Sequence, residues 1–305
     1  MRRLPIGVAY ASTQVNCMDI KNYISKKKKV IDKALDKYLP SSKTMPQALH
    51  KAMRYAVFPG GKRIRPILTL ASFEACGGSN NSILPVACGI EFIHTYTLIH
   101  DDLPCMDNDD YRRGRLSCHK KSGEDIALLA GDALLTLAFQ LFSEYGNAQI
   151  IKEVSRAIGS QGTIGGQVVD ILATSDPIPQ GYGAGKRPDT TRVRGRQGTK
   201  KELNYIASHK TGALFEAAVK TGGIFKGVGS KKINSLGNFG KNFGFTFQLI
   251  DDLMDGDGYV KTYGAERTRN MAGDSNGRAK KGLKVFGNRA ARLVEISDLV
   301  LKRRS

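Results

Sequence analysis

Apolar residues recur at helical spacing along most of this chain, and no segment shows the sustained alternation of a β-strand. Residues 21–39 place their apolar side chains near one stripe, as an amphipathic helix does. The same pattern predicts further helices at residues 45–58, 65–76, 83–100, 125–145, 150–161, 203–221 and 233–255. The sequence therefore predicts an all-α fold.

Glycine and proline divide this helical series. Residues 1–18 lack a long apolar stretch and are expected to form an N-terminal extension, which could be disordered. Residues 19–305 are expected to form one helical domain. A long loop is predicted at about 174–200, where proline, glycine and basic residues alternate. The glycines of GDSNG, 273–277, predict that this stretch is not the interior of a helix.

Composition narrows the classes of protein to consider. The net charge of +19 raises nucleic-acid binding, but no zinc finger, RNA-binding aromatic motif or basic heptad pattern accompanies it, so we expect no nucleic-acid partner. No run approaches the roughly 18 apolar residues of a membrane span, so no span is expected. The 5 cysteines have no C-x-x-C spacing, which fits a reducing compartment. We expect a cytoplasmic protein.

Two aspartate clusters lie far apart in the chain. The first is Asp101, Asp102 and Asp107 in HDDLPCMDNDD, and the second is Asp251, Asp252 and Asp255 in FQLIDDLMD. Helical spacing puts Asp251 and Asp255 on one face, where like charges repel unless a cation bridges them. Pro104 should end the first helix near Asp102, with Asp107 returning on a loop. The alternatives are an acidic turn for the first cluster and an exposed acidic helix end for the second.

Ligand sets made only of oxygen suit Mg²⁺, which proteins often share between carboxylates and substrate phosphates. The clusters therefore indicate a magnesium site for a diphosphate. GGKRIRP, 60–66, adds Lys62, Arg63 and Arg65 after two glycines, a basic loop suited to phosphate contact but also common on solvated surfaces. His94 lies on an apolar helix and is, by itself, more typical of a core histidine than of a ligand contact.

Six motifs in order, GGKRIRP, DDLPCMDNDDYRRG, GDALL, GGQVVD, HKTGAL and FQLIDDLMD, resemble those of the trans-prenyltransferases, the short-chain isoprenyl diphosphate synthases. The resemblance implies a helical fold with a central cavity on which the two aspartate motifs face each other, and a homodimer. It also implies a condensation of isopentenyl diphosphate with an allylic diphosphate, dimethylallyl or geranyl diphosphate.

The resemblance assigns roles to particular residues. Catalysis would rest on Asp101, Asp102, Asp107, Arg112, Lys210 and Asp251. Three Mg²⁺ ions, or Mn²⁺ in their place, would be held by Asp101, Asp102, Asp107, Asp170, Asp251, Asp252 and Asp255. Arg112, Lys210 and Gln248 would contact the allylic diphosphate, Lys62, Arg65, His94 and Arg113 the isopentenyl diphosphate, and Thr211 and Gln167 the reacting carbons.

The resemblance also implies that product length depends on Tyr96 and Thr97, which precede the first motif and would form part of the floor of the product cavity. One helical turn rises about 5.4 Å, close to one isoprene unit, so a bulky Tyr96 should stop growth at the fifteen-carbon farnesyl diphosphate. The alternatives are a geranylgeranyl diphosphate synthase and a catalytically weak regulatory subunit of such an enzyme.

The chain departs from the family pattern in two places. After Asp255 it lacks the usual glycine-lysine step, although Lys261 lies nearby, and the 174–200 loop is longer than is usual. A terpene cyclase would share one aspartate motif, but its second site usually mixes Asn, Ser and Glu. Both aspartate motifs are complete here, which favours the synthase.

Overall fold

The structure is a computed structural model that describes residues 17–58, 61–174 and 199–303. Three predicted features lie wholly or largely outside the described residues. These are residues 1–16 of the predicted 1–18 extension, Gly60 of the basic motif, and almost all of the predicted 174–200 loop. The α-helices are α1 (Cys17–Tyr38), α2 (Gln47–Val57), α3 (Ile64–Ala75), α4 (Leu84–Asp101), α5 (Cys118–Ser122), α6 (Glu124–Tyr145), α7 (Ala148–Ile158), α8 (Thr163–Thr174), α9 (Lys200–Ile206), α10 (Ala213–Lys226), α11 (Ser230–Asp255), α12 (Tyr259–Tyr263), α13 (Ala265–Gly282) and α14 (Ala291–Leu301).

Shorter elements complete the chain. A π-helix, Ala207–Gly212, joins α9 to α10, and a 3₁₀ helix, Leu283–Ala290, joins α13 to α14. Strands β1 (Tyr111–Arg112) and β2 (Arg115–Leu116) form a small antiparallel hairpin. The all-α prediction is confirmed.

Helix α4 lies at the centre of the bundle. Its residues are apolar on nearly every side, which is typical of a helix buried all round rather than of a surface helix. It packs against α3 and α6 and also contacts α1, α2 and α10. Because α4 ends at Asp101, this buried helix carries the first aspartate motif to the edge of the core.

Helix α13 corrects the expectation for 273–277, which lie inside a continuous helix. Packing outweighs the low helix propensity of glycine, because Ser275 and Asn276, between the two glycines, are buried and hydrogen bonded. Ser275 donates to the carbonyl oxygen of Asn242 on α11 at 3.0 Å, and Asn276 donates to Asp298 on α14 at 2.8 Å. Tertiary partners, invisible to local propensity, hold this segment helical.

Helix α6 bears on the expectation that the chain has no membrane span. In the described part of the chain it alone is long and apolar enough to cross a membrane by length and composition, with a mean hydropathy of 1.7 over 18 residues. Core helices of soluble proteins pass the same test, so this is weak evidence. The helix packs along α4 and against α2.

Candidate active site

The end of α4 and the loop after it bring the first aspartates together. The backbone N–H of Asp107 donates to the carbonyl oxygen of Asp101 at 2.8 Å, which folds the loop back onto the helix end. This return follows the helix stop that Pro104 predicts at Asp102. The backbones of Asp101 and Asp107 therefore lie beside each other at the C-terminal end of α4.

The first cluster contains one carboxylate that is already neutralised. Asp102 is 2% exposed, and Arg112 Nε donates to its Oδ1 at 2.9 Å. The same guanidinium donates to Asp109 at 2.9 Å, so Arg112 joins α4 to the loop before β1. Asp102 and Arg112 thus form the back of the site together with Asp109, a residue of the first motif to which the sequence analysis gave no role.

Asp101 is the carboxylate with the least compensation. Burial raises its pKa to about 6, although Lys210 and Arg112 nearby lower it. A carboxyl group with such a raised pKa is destabilised as an anion, and a divalent cation would stabilise it. The electrostatics of Asp101 therefore fit a cation site.

The second cluster lies on the last turns of α11, and its three carboxylates differ. Asp251 Oδ1 accepts from Arg303 Nη1 at 3.1 Å, while burial raises the pKa of Asp251. Asp252 is 8% exposed and accepts from Gln248 Nε2 and from the backbone N–H of Tyr259, both at 2.8 Å. Asp255 is exposed at the helix end. Asp252 is therefore held by protein donors, whereas Asp251 and Asp255 occupy the open face.

The π-helix connects the two clusters. Lys210 Nζ donates to Asp170 at 2.6 Å and, although burial alone would lower its pKa, Asp170 and Asp101 raise it. The next residue, Thr211, donates to Gln248 of α11 at 2.7 Å. Lys210 acts electrostatically on Asp101, and Thr211 binds Gln248, one turn from Asp251 and Asp252. From these contacts we infer that both aspartate groups border one cleft.

Two glycines let the π-helix fit between α8 and α11. A Cβ added at Gly166 would lie 2.1 Å from the backbone nitrogen of Lys210, and one at Gly244 would lie 2.7 Å from the Cα of Gly212. Neither space admits a side chain. Gly166 in this way brings its neighbour Gln167 to the cleft, and the Gln167 amide nitrogen is buried without a hydrogen-bond partner among the described residues.

A basic pocket opens beside the cleft. It has a volume of about 440 Å³, and its lining includes Lys62, Arg65, His94, Arg113, Phe215 and Phe247. The structure therefore gathers all of the residues that the resemblance assigns to the isopentenyl diphosphate. Gly61 belongs to the same wall, because a Cβ there would lie 2.7 Å from the Arg113 guanidinium.

Charge and aromatic contacts order this pocket. Arg65 lies over the Phe215 ring at 4.1 Å and its Nη1 approaches His94 Nε2 at 3.4 Å. Burial, together with neighbouring arginines, lowers the pKa of His94 well below its usual value, so the imidazole is neutral. Burial also lowers the pKa of Arg65 to about 10, which leaves it cationic. A neutral imidazole among arginine cations suits a polyanionic ligand.

Arg63 fixes the basic loop from beneath. Its side chain is fully buried, and it donates to Glu91 on α4 at 2.6 Å and to Asp32 on α1 at 2.9 Å. Its backbone adopts the left-handed conformation, with φ 52°, immediately before α3. Lys62 and Arg65 therefore face the pocket because the arginine between them is anchored in the core.

The residues predicted to set product length lie on α4. Tyr96 is 5% exposed, and its hydroxyl has no hydrogen-bond partner among the described residues. Thr97 donates to the carbonyl oxygen of His94 at 2.8 Å, which directs its hydroxyl along its own helix. Tyr96 is thus the bulky, buried member of the pair.

The sequence did not indicate Arg303 or Glu91. Arg303 lies 5.3 Å from the Phe247 ring while it contacts Asp251, so the end of the chain reaches the second aspartate group. Glu91 lines the basic pocket beneath Arg63 and Arg65. The run KRR at 302–304 was the available signal for Arg303, but helical spacing does not relate a chain end to a residue on another helix.

Among the described residues, no three His, Cys, Asp or Glu side chains converge as a preformed metal site. Mg²⁺ retains waters and substrate oxygens in its coordination shell, so one or two carboxylates per ion suffice. Asp101, Asp107, Asp251 and Asp255 supply such oxygen ligands around the cleft. The donor set therefore fits a magnesium ion shared with a diphosphate.

The comparisons with known proteins agree with this geometry. Residues 46–269 match the family model described as polyprenyl synthetase. The chain is 36% identical to a geranylgeranyl diphosphate synthase of Cyanophora paradoxa, over 92% of this chain and 95% of that protein. It is 37% identical to a farnesyl diphosphate synthase of Geobacillus stearothermophilus, over 84% of this chain and 83% of that protein.

A solved structure has the same fold. The crystal structure of an FPP/GFPP synthase from Zymomonas mobilis superposes with a TM-score of 0.83 at 31% identity, covering 93% of this chain and 99% of that one. The chain belongs to the polyprenyl synthetase family. It is a prenyltransferase that condenses prenyl diphosphates, and the family is generally Mg²⁺-dependent.

Proposed function

We propose that this prenyltransferase condenses isopentenyl diphosphate with dimethylallyl or geranyl diphosphate to give farnesyl diphosphate. The observations that support the proposal are the contacts of the π-helix with the surroundings of both aspartate groups, a basic pocket of about 440 Å³, and the bulky Tyr96 buried on α4. The cleft suits the allylic diphosphate, and the pocket suits the isopentenyl diphosphate.

Three Mg²⁺ ions would be held around the cleft, principally by Asp101, Asp107, Asp251 and Asp255. When bound, Mg²⁺ supplies Lewis-acid stabilisation of negative charge on diphosphate oxygens. Asp102 and Asp252 already accept hydrogen bonds from the protein. We therefore assign them the role of supporting the neighbouring aspartates that hold the ions. Asp170 contributes through its contact with Lys210.

The chain's own residues prepare the ionisation of the allylic substrate. Lys210 and Arg112 place positive charge beside the departing diphosphate, which gains negative charge as it leaves. The allylic C–O bond therefore breaks with its electron pair remaining on the diphosphate oxygen. Gln248, Gln167 and Thr211 orient the allylic chain. Phe215 and Phe247 keep water from the resonance-stabilised cation that results.

The basic pocket orients the second substrate. Lys62, Arg65, Arg113 and neutral His94 hold the isopentenyl diphosphate so that its double bond faces the allylic carbon and donates its electron pair there. A proton then leaves the adjacent carbon, and its bonding pair forms the new double bond. The released diphosphate accepts that proton, so no side-chain base is required.

Product sizing tests this function. The purified full chain would be incubated with labelled isopentenyl diphosphate, Mg²⁺ and dimethylallyl, geranyl or farnesyl diphosphate, and the products dephosphorylated and sized. We expect a fifteen-carbon product from the first two starters and little elongation of the third. A dominant twenty-carbon product would instead identify a geranylgeranyl diphosphate synthase, and no product would identify a regulatory subunit.

Tyr96→Ala tests the floor separately. Removing the ring should open about one helical turn, close to one isoprene unit, so twenty-carbon and longer products should dominate. Thr97→Ala is the matched control on the same turn and should change product length less. An unchanged fifteen-carbon product from Tyr96→Ala would contradict the assignment of Tyr96.

We also propose a cytoplasmic homodimer. Leu128 and Leu129 on α6 are 46% and 52% exposed, which supports burial of this helix against a second copy. Light scattering of the purified chain should give twice the monomer mass. A monomer at micromolar concentration would contradict the dimer.

A further inference from the structure

Tyr96 needs something other than a hydrogen bond to hold its ring in place. Its hydroxyl is buried and finds no partner among the described residues, so the position of the ring depends on packing alone. The ring packs edge-on against His100, with centroids 5.6 Å apart and planes at 77°. This geometry is favourable for aromatic pairs, and the two residues are one helical turn apart on α4.

His100 is itself fixed by α6. Its Nε2 lies 3.1 Å from the carbonyl oxygen of Leu128, a hydrogen bond that places the ring proton on Nε2. The same nitrogen lies 3.8 Å from Asp132 Oδ1. The imidazole thus bridges the two helices and cannot rotate without losing the bond to α6.

Gly131 supplies the space for this bridge. A Cβ at position 131 would lie 2.1 Å from His100 Nε2 and 2.5 Å from its Cδ2, closer than any real side chain approaches. Alanine would therefore push the imidazole away from α6 and towards Tyr96. Gly131 is the first residue of the GDALL motif, to which the mechanism assigns no chemistry.

We propose that His100 and Gly131 are positioning residues for product length, which hold the Tyr96 ring where it stops chain growth. The inference rests on the proposed function of Tyr96 as the floor of the product cavity. His100 acts through Tyr96 and not on the diphosphates. Gly131 acts through His100.

Product distribution tests the proposal, because a merely structural role would reduce all products alike. We expect His100→Ala to release the Tyr96 ring and raise the ratio of twenty- to fifteen-carbon product at least fivefold. His100→Gln keeps a donor for the Leu128 carbonyl but lacks the aromatic edge, and it should raise the ratio by a smaller factor. His50→Ala, at a half-buried histidine of α2, is the control and should leave the ratio unchanged.

Gly131→Ala should act in the opposite direction. The displaced imidazole pushes the Tyr96 ring into the cavity, so shorter, ten-carbon product should accumulate. In a His100→Ala background the added methyl group has no ring to displace, and Gly131→Ala should then have no further effect on the ratio. Thermal unfolding of each variant confirms that the products come from folded protein.

The outcomes separate the two claims. Suppose that Tyr96→Ala lengthens the product while His100→Ala and His100→Gln keep the wild-type ratio of twenty- to fifteen-carbon product. The positioning role of His100 is then overturned, and the role of Tyr96 as the cavity floor stands. If Tyr96→Ala leaves the product unchanged, the floor itself fails and the positioning role fails with it. An equal effect of Gly131→Ala with and without His100 would also overturn the proposed chain of contacts.

Discussion

Asp101 shows how a functional carboxyl group weakens the fold that carries it. Its raised pKa, about 6, means that burial stabilises the protonated form in the folded chain. The folded state then binds more protons than the unfolded state between about pH 4 and pH 6, so this contribution to stability is lost as the pH rises through that window. Above about pH 6 Asp101 is ionised in the folded chain, and the burial of its carboxylate then lowers the free energy of unfolding by the full amount.

Asp101→Asn should therefore stabilise the chain in the presence of a chelator. We expect a gain in the free energy of unfolding of about 1–3 kcal/mol at pH 7.5 and almost none at pH 4. Urea denaturation at both pH values measures it. Asp274→Asn, on the exposed face of α13, is the control and should change the free energy of unfolding little. Equal stability of Asp101→Asn and the wild type at pH 7.5 would contradict this account of Asp101.

The sequence could not rank the aspartates within each pair. Asp101 with Asp102 and Asp251 with Asp252 look alike in the motifs, but only the second member of each pair is bound by several protein donors. Those donors include Arg112 of β1 and the backbone N–H of Tyr259 at the start of α12, which lie in elements beyond each helix. Spacing along a helix predicts which residues share a face but not how a loop returns to it.

At the scale of elements, the active site depends on helices that approach more closely than side chains normally allow. The π-helix carries Lys210 and Thr211 and packs onto α8 at Gly166. Single-turn π segments often mark functional sites, where they redirect side chains from an otherwise regular helix. Here the segment directs neighbouring residues to Asp170 and to Gln248.

Gly166→Ala should separate α8 from the π-helix. The new methyl group would meet backbone, which cannot move aside, so we expect a loss of kcat of at least tenfold as the Lys210 contact with Asp170 is disturbed. The matched substitution Gly273→Ala on α13 meets nothing within 4 Å and should stabilise the chain by about 0.5–1 kcal/mol. Equal behaviour of the two alanine variants in activity assays would show that the close approach is unimportant.

Arg63 ties three helices together, because it links the start of α3 to Asp32 on α1 and Glu91 on α4. Arg63→Met should lower the free energy of unfolding by about 3–5 kcal/mol, since it leaves a buried carboxylate unpaired. The same variant should raise the KM for isopentenyl diphosphate by loosening Lys62 and Arg65. Lys120→Met removes an exposed ion pair with Asp110 and should cost about 0–1 kcal/mol; a similar cost for both variants in urea denaturation would argue against the anchor.

Periodicity predicted the elements that pack by apolar faces, but not those held by polar contacts. Helices α4 and α11 follow from their hydrophobic pattern to within a few residues. Helix α13 does not, because Ser275 and Asn276 owe their burial to partners on α11 and α14. The π-helix was also invisible, since its extra residue leaves no mark in a helical pattern.

At the scale of the whole molecule, distant parts of the chain meet at one cleft. Motif order led to the prediction of such an arrangement, because the resemblance related each motif to the others. It did not predict that Arg303 near the chain end reaches Asp251, or that Arg63 and Glu91 support the basic pocket from the core. Those contacts depend on long-range packing, which no local pattern encodes.

The central claim is that the two aspartate groups hold one set of divalent ions around the allylic diphosphate. Counting Mn²⁺ bound per chain tests it most directly, by titration with electron paramagnetic resonance in the presence of the unreactive thio analogue of geranyl diphosphate. We predict three ions for the wild type, a loss of two in Asp101→Ala and a loss of one in Asp251→Ala. If both variants bind as many ions as the wild type, the aspartates do not hold the metal and the account is wrong.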